Sequence, residues 1–157
     1  MSARARLLLW ITLPLLAADQ LTKAWARGWL REHGPFSWWG GSVRLVYHEN
    51  TGAFLSLGAN LPEGVRSLVF SAGVGLLVVG LVAYYLRQSQ MHRIAHWAFC
   101  LMIAGGAGNL IDRVWKSSVT DFLVLGAGSL QTGVFNVADM AISAGAVLMV
   151  LAPQSKC

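Results

Sequence analysis

Residues 65–86 read VRSLVFSAGVGLLVVGLVAYYL, an apolar run with one charged residue, Arg66. A helix that crosses the hydrocarbon core of a bilayer needs about 20 mostly apolar residues. The run therefore predicts a membrane-spanning helix. Its glycines are typical of positions where membrane helices pack closely; they are Gly73, Gly75 and Gly80.

Three other segments are apolar enough to cross a membrane. They lie at about Leu7–Trp25, Ile94–Leu110 and Val137–Leu151, and the last is short. The segment 94–110 also carries glycines typical of close packing, namely Gly105, Gly106 and Gly108. The sequence therefore predicts a membrane α-helical fold with four transmembrane helices. No repeat or linker interrupts it, so we expect a single domain over residues 1–157.

The first of these segments has a second interpretation. Arg4 and Arg6, followed by the apolar Leu7–Leu16, are typical of a cleavable secretory signal. Beyond that run, Asp19 and Lys23 form an i,i+4 pair in the order that stabilises a helix. We therefore favour a retained helix.

The composition also favours lipid as the solvent of this chain. Of its 157 residues, 55% are hydrophobic and 12% are charged, and the mean hydropathy is +0.55. A soluble domain carries about 25% charged residues. The net charge of +5 is scattered and forms no basic face, so we expect no nucleic-acid partner. Cys100 and Cys157 lack the spacing of a metal site, and a disulfide between them is not expected.

The basic residues predict the orientation in the membrane. With the N-terminus inside, the very short cytoplasmic segments hold Arg4, Arg6, Arg87, Arg93 and Lys156. The longer outer segments hold Arg27, Arg31, Arg44, Arg66, Arg113 and Lys116. Because the positive-inside rule is strongest in short loops, we expect both termini in the cytoplasm.

The connection over residues 27–64 is too long to be a simple link between helices. Residues 43–48 alternate with the period of a strand, Asn50–Gly52 favours a turn, and Ala53–Leu57 predicts a second strand. The connection over residues 119–135 also resembles a hairpin. We expect these segments to form a small extracytoplasmic β-cradle over the helix ends.

Two aspartates need an explanation in a chain so poor in acids. Asp121 enters an apolar strand pattern, and Asp139 falls in the first turn of the fourth span. Carboxylates at the edge of a bilayer are costly and usually functional. Two carboxylates that meet can hold a single proton, so that one activates water while the other donates to a substrate carbonyl. The pair therefore predicts aspartic hydrolysis near the outer surface.

Polar side chains accompany both aspartates at helical spacing. Asn109 lies three residues before Asp112, and Asn136 three before Asp139, which places each pair on one helix face. Asn136 is also a good N-cap for the fourth span. We interpret Asp112 as structural and Arg113 as a donor to a carboxylate or a substrate carbonyl.

No other catalytic centre is indicated. Ser117 and Ser118 have no neighbouring histidine in the sequence. His92 and His96 share a helix face but lack the glutamate of a zinc-protease helix. We therefore expect neither a metal nor an organic cofactor.

Five segments, taken in order, resemble the bacterial lipoprotein signal peptidase family, signal peptidase II. They read DQLTK (19–23), NTGAF (50–54), GNLIDR (108–113), VTDF (119–122) and FNVAD (135–139). The resemblance implies four transmembrane helices with a β-rich periplasmic cradle. It also implies an inner-membrane enzyme that cleaves the signal peptide of prolipoproteins just before a lipid-modified cysteine.

The same resemblance implies roles for particular residues. It places the catalytic pair on Asp121 and Asp139. The matching positions that support the pair or touch the substrate are Asn109, Asp112, Arg113 and Asn136, with Asp19, Lys23, Asn50 and Gly52 on the outer side. The implied partners are lipid-modified prolipoproteins and the membrane lipid itself.

Two alternatives stay open. Met140 and the segment 53–56, which is one small residue short, depart from the family pattern, and this leaves room for a specialised or inactive paralogue that binds lipoproteins or an inhibitor. Alternatively, Asp19, Asp112 and Asp139 could form the ionisable path of a small transporter or proton relay. The oligomeric state is not indicated.

Overall fold

The computed structural model describes residues 2–52, 62–88, 90–128 and 130–153. Within them lie four long helices, one at each expected span: α1 (Ala3–Trp25), α2 (Glu63–Arg87), α3 (Arg93–Lys116) and α4 (Val137–Leu151). The prediction of a membrane α-helical fold with four such helices is confirmed.

Two helices extend further at their C-terminal ends than the sequence predicts. α1 continues through a π-helical turn, Ala26–Leu30, and a last turn, Arg31–His33. α3 runs past its expected end at Leu110 to Lys116 and stops where Ser117 takes a left-handed conformation with φ 59°. Apolarity underestimates these ends because polar side chains in the added turns have partners inside the protein.

α4 differs from the other helices in length. The segments Arg4–His33, Leu68–Arg87 and Arg93–Lys116 are long and apolar enough to cross a membrane, whereas Val137–Leu151 is shorter. With 15 residues, α4 extends about 22 Å at the helical rise per residue. This is less than the hydrocarbon thickness of about 30 Å. α4 therefore reaches only part of the way across unaided.

α3 lies at the centre of the helices because small residues let its neighbours approach. A Cβ atom at Gly105 would collide with the carbonyl oxygen of Ala138 in α4, so only glycine allows this backbone contact. By contrast, a Cβ atom at Gly73 or Gly80 would meet no described atom within 4 Å. The interpretation of these two α2 glycines as close-packing positions was wrong, since they face outward.

The strands form one antiparallel sheet, the β-cradle, in the order β1-β2-β3-β4. They are β1 (Phe36–Trp38), β2 (Val43–Asn50), β3 (Val119–Ala127) and β4 (Leu130–Gln131). The strand predicted at residues 43–48 and the hairpin at 119–135 are confirmed, and β1 is an addition. The strand predicted at Ala53–Leu57 lies outside the described residues.

The pairing of β2 with β3 sets the geometry of the site. His48 lies opposite Asp121, Glu49 opposite Thr120, and Asn50 opposite Val119. The register shifts between Leu45 and His48, which marks a β-bulge. Because of this register, the last residue of β2 lies diagonally across from Asp121.

Candidate active site

Asp121 lies on β3 with its side chain almost fully buried, 1% exposed. Its two carboxylate oxygens accept hydrogen bonds from two amides: Oδ1 from Asn136 Nδ2 at 2.6 Å and Oδ2 from Asn50 Nδ2 at 3.1 Å. The backbone N–H of Gly52 donates to Asn50 Oδ1 at 3.1 Å. This turn fixes the Asn50 amide so that its NH₂ group faces Asp121.

Asp139 lies in the first turn of α4 and is half-buried. It forms a capping box with Asn136: Asn136 Oδ1 accepts from the Asp139 N–H at 3.0 Å, and Asp139 Oδ2 accepts from the Asn136 N–H at 3.2 Å. Asp139 Oδ1 also accepts from Asn109 Nδ2 at 2.8 Å. The helix N-terminus, where backbone N–H groups point outward, stabilises a negative charge here.

Two asparagines join the aspartates into one network. Asn136 Nδ2 donates to Asn109 Oδ1 at 3.2 Å as well as to Asp121. An unbroken path of hydrogen bonds thus runs from Asp121 through Asn136 and Asn109 to Asp139. The structure brings together the two acids that the sequence singled out, although they come from a strand and from a helix.

The pKa of Asp121 is raised to about 6. Burial is the largest cause, and the nearby charge of Asp139 adds to it. Hydrogen bonds from Asn50 and Asn136 and the charge of Lys23 act in the opposite direction. A carboxyl group with such a pKa keeps its proton to much higher pH than an exposed aspartate.

A buried lysine supports the network from α1. Lys23 is fully buried, and its ammonium contacts Asp19 Oδ2 at 2.8 Å, Asn109 Oδ1 at 2.9 Å and Asp112 Oδ2 at 3.6 Å. Asp19 Oδ1 in turn accepts from the N–H of Ala138 at 2.9 Å. These contacts tie the C-terminal half of α1 to α3 and to the start of α4.

Asp112 and Arg113, the two other predicted site residues of α3, differ in their surroundings. Asp112 is fully buried, and its Oδ2 accepts from the N–H of Thr120 at 2.9 Å, which anchors β3 to α3. Arg113 is half-buried and lies within electrostatic range of Asp139 and Asp121. In the described part of the chain its side chain has no hydrogen bond or ion pair, so the guanidinium donors are available to a ligand.

The arrangement does not support the path of a transporter. Asp19, Asp112 and Asp139 belong to one connected cluster at one end of the helices, whereas a relay needs groups at several depths. Among the described residues, no group of three or more histidine, cysteine or acidic side chains could hold a metal ion.

A second polar cluster, around Glu49 on the face of the sheet opposite to Asp121, was not predicted from the sequence. Glu49 accepts from Lys116 Nζ, Ser118 Oγ and Tyr47 Oη, each at 2.5 Å, and from Thr120 Oγ1 at 3.0 Å. Burial alone would raise the pKa of Glu49, but hydrogen bonds from Lys116, Ser118 and Tyr47 outweigh it and lower the pKa to about 2. The sequence held no local signal, because Glu49 and Lys116 are 67 positions apart.

Comparison with known proteins identifies the family. The model of a family described as signal peptidase (SPase) II matches residues 11–153. The chain belongs to the signal peptidase II family. Its membership agrees with the resemblance of the five sequence segments to this family.

Relatives within the signal peptidase II family match most of the chain. A lipoprotein signal peptidase of Pseudoalteromonas atlantica is 33% identical over 91% of this chain and 86% of its own length. One of Syntrophus aciditrophicus is 36% identical over 87% of this chain and 85% of its own length. The fold matches a bacterial membrane enzyme solved by the in meso method, with a TM-score of 0.79 over 92% of this chain and 85% of that one, at 24% identity.

Proposed function

We propose that this member of the signal peptidase II family is an aspartic endopeptidase that cleaves prolipoproteins immediately before the diacylglyceryl-modified cysteine. The family and the names of its relatives support the substrate class. The hydrogen-bonded path from Asp121 through Asn136 and Asn109 to Asp139 is the observation that carries the catalytic type.

The environments of the two acids suggest a division of labour. Asp121, with its raised pKa, holds the shared proton and donates it to the oxygen of the scissile carbonyl. Asp139, half-buried and supported by Asn109 and the start of α4, is the ionised base. It removes a proton from water while the water oxygen attacks the carbonyl carbon, which gives a neutral tetrahedral diol.

Collapse of this diol completes the cleavage. Asp139 returns its proton to the leaving nitrogen, and Asp121 takes the proton back from the hydroxyl as the carbonyl re-forms. The peptide C–N bond breaks, and the pair regains its single proton. No metal or organic cofactor is needed for this balance.

The other site residues hold or extend the pair. Asn109, Asn136 and Asn50 fix the carboxylates by direct donation, and Gly52 orients Asn50. Further back, Asp19, Lys23 and Asp112 hold the helices and β3 in place. Arg113 is available to a backbone carbonyl of the substrate or to the developing oxyanion.

The proposed setting is the inner membrane of a bacterium, with both termini cytoplasmic and the site near the outer face. The acyl chains of the substrate then stay in the bilayer, while its scissile peptide bond reaches the aspartates at the membrane edge. Residues 1–157 act as a single catalytic domain.

Asp121→Asn and Asp139→Asn test the catalytic type. Each variant should stop cleavage of a purified lipid-modified prolipoprotein, because either substitution leaves the pair without a proton donor or a base. Gel mobility of the substrate gives the readout, and expression and thermal unfolding in detergent verify folding. Full activity of a folded variant would remove that acid from the mechanism, and an inactive wild-type protein would favour a binding paralogue.

A further inference from the structure

Asn50 is half-buried and holds Asp121 from the end of a strand. It is the last residue of β2, and the chain leaves the sheet immediately afterwards. Residues at strand ends open locally more easily than those inside a sheet. The 3.1 Å hydrogen bond from Asn50 to Asp121 therefore depends on further contacts that hold Asn50 in place. The N–H of Gly52 supplies one such contact, but only from the residues that follow β2.

Glu49, the residue before Asn50, supplies four contacts to other parts of the site. Its Oε2 accepts from Lys116 Nζ and Ser118 Oγ, both at 2.5 Å, and its Oε1 accepts from Thr120 Oγ1 at 3.0 Å and from Tyr47 Oη at 2.5 Å. Each carboxylate oxygen thus has two donors. A carboxylate with this many charge-assisted and hydroxyl donors is held in one orientation.

The contacts of Glu49 lie on the face of the two strands that is opposite to Asp121. Successive side chains of a strand point to opposite faces. Glu49 and its partner Thr120 therefore share one face, while Asn50 and Asp121 share the other. Glu49, which precedes Asn50, is hydrogen-bonded to Thr120, which precedes Asp121. The two strands are therefore held together one position away from the hydrogen bond between Asn50 and Asp121.

Residues of α3 hold both strands in place. Lys116, at the end of α3, donates to Thr120 Oγ1 as well as to Glu49. The N–H of Thr120 donates to Asp112 Oδ2 on the same helix. The Glu49–Lys116 pair is partly sheltered, with side chains 29% and 19% exposed, so its attraction is weakened by solvent less than that of a surface pair.

We propose that Glu49 is a positioning residue of the peptidase, which acts through Lys116 and Thr120 to hold Asn50 on Asp121. The proposal rests on the proposed function of the site and adds a residue that touches neither the substrate nor the catalytic carboxylates. A displacement of about 1 Å in a catalytic group can cost on the order of 100-fold in rate. Loss of Glu49 should therefore lower turnover more than it lowers substrate binding.

Glu49→Ala and Lys116→Met test this inference in a double-mutant cycle. Each should reduce kcat for a lipid-modified prolipoprotein by roughly 10- to 100-fold, with KM unchanged. The double variant should be no worse than the single variants, because both remove the same fastening. Glu49→Gln, which keeps an acceptor oxygen, should recover part of the rate.

Arg44→Ala is the matched control. Arg44 lies on β2 and donates to Gln131 Oε1 at 3.1 Å in an exposed hydrogen bond that involves neither aspartate, so its loss should leave kcat at the wild-type value. Three outcomes would overturn the inference. They are a wild-type kcat in folded Glu49→Ala, additive losses of kcat in the double variant, and equal changes in kcat and KM. If Glu49→Ala does not fold, Glu49→Gln and Thr120→Val decide by the same criteria. Absence of cleavage by the wild-type protein would instead overturn the proposed function.

Discussion

Asp121 experiences opposing influences that can be separated by substitution. Burial and Asp139 raise its pKa, whereas the amide donors Asn50 and Asn136 and the charge of Lys23 lower it. Arg113, from α3, also lies within electrostatic range. Asn50 is the donor best suited to removal, because Asn136 also caps α4.

Asn50→Ala should raise the pKa of Asp121 above its wild-type value of about 6. If protonated Asp121 is the acid, wild-type kcat/KM falls as the pH rises through this pKa. The falling limb of the variant should then lie at higher pH, although its maximum is lower. A pH profile of kcat/KM in one detergent gives the measurement, and the apparent pKa belongs to the pair of aspartates. An unmoved limb, or a shift to lower pH, would contradict this assignment.

The residues that sequence reasoning found and missed differ in how their partners are encoded. Asp121 and Asp139 were recognisable because an acid in an apolar chain is costly, and Asn136 with Asp139 because a helix start has a local pattern. Glu49 and Lys116 resemble ordinary surface charges in the sequence. Their contact depends on the register of β2 with β3, which is displaced by the bulge after Leu45.

At the scale of elements, α3 organises the site by letting α1 approach it. A Cβ atom at Gly108 would lie 2.5 Å from Asp19 Oδ2 and 3.4 Å from the Cβ atom of Ala138. The glycine therefore makes room for the Asp19–Lys23 pair and for the first turn of α4. The end of α3 was underestimated from the sequence for a related reason, since Asp112 and Lys116 are polar but have partners inside the protein.

Gly108→Ala should destabilise the protein by about 1–3 kcal/mol, the usual cost of an added methyl group in a close-packed interior. It should also reduce cleavage, since Asp19 must move away from Lys23. Gly73→Ala in α2 is the control, because its Cβ atom meets no described atom within 4 Å. Thermal unfolding in detergent and the cleavage assay give the readouts. Equal stability of the two variants would contradict the close approach of α1 and α3.

At the scale of the whole molecule, six charged side chains that form ion pairs lie together with Asp121 and Asp139 at one end of the helices. Lys23, Arg27 and Lys116 lie against Asp19, Asp112 and Glu49 in ion pairs. The three cations therefore offset the three anions. The charges of Asp121, Asp139 and Arg113 come in addition to this neutral set. Removing one member of the fully buried Lys23–Asp19 pair costs about 3–5 kcal/mol. Tyr85, Phe99 and Cys100 form an apolar core towards the opposite end, where α2 ends at Arg87 and α3 begins at Arg93.

This polarity leads to a prediction about the orientation of the whole molecule. If the charged end and the β-cradle face outward, Ser37 on β1 is outside the cell membrane and Gln90, between α2 and α3, is in the cytoplasm. Both residues are exposed. Ser37→Cys and Gln90→Cys, each in a Cys157→Ser background, can be labelled with a membrane-impermeant maleimide in spheroplasts. The native Cys100 is fully buried and should not react.

Ser37→Cys should label in intact spheroplasts, and Gln90→Cys only after permeabilisation. The background protein without either new cysteine controls for reaction at Cys100. Labelling in the reverse order would place the aspartates on the cytoplasmic side, where a substrate exported across the membrane could not reach them. The orientation would then contradict the proposed cleavage of exported prolipoproteins, even though the geometry of the two carboxylates were unchanged.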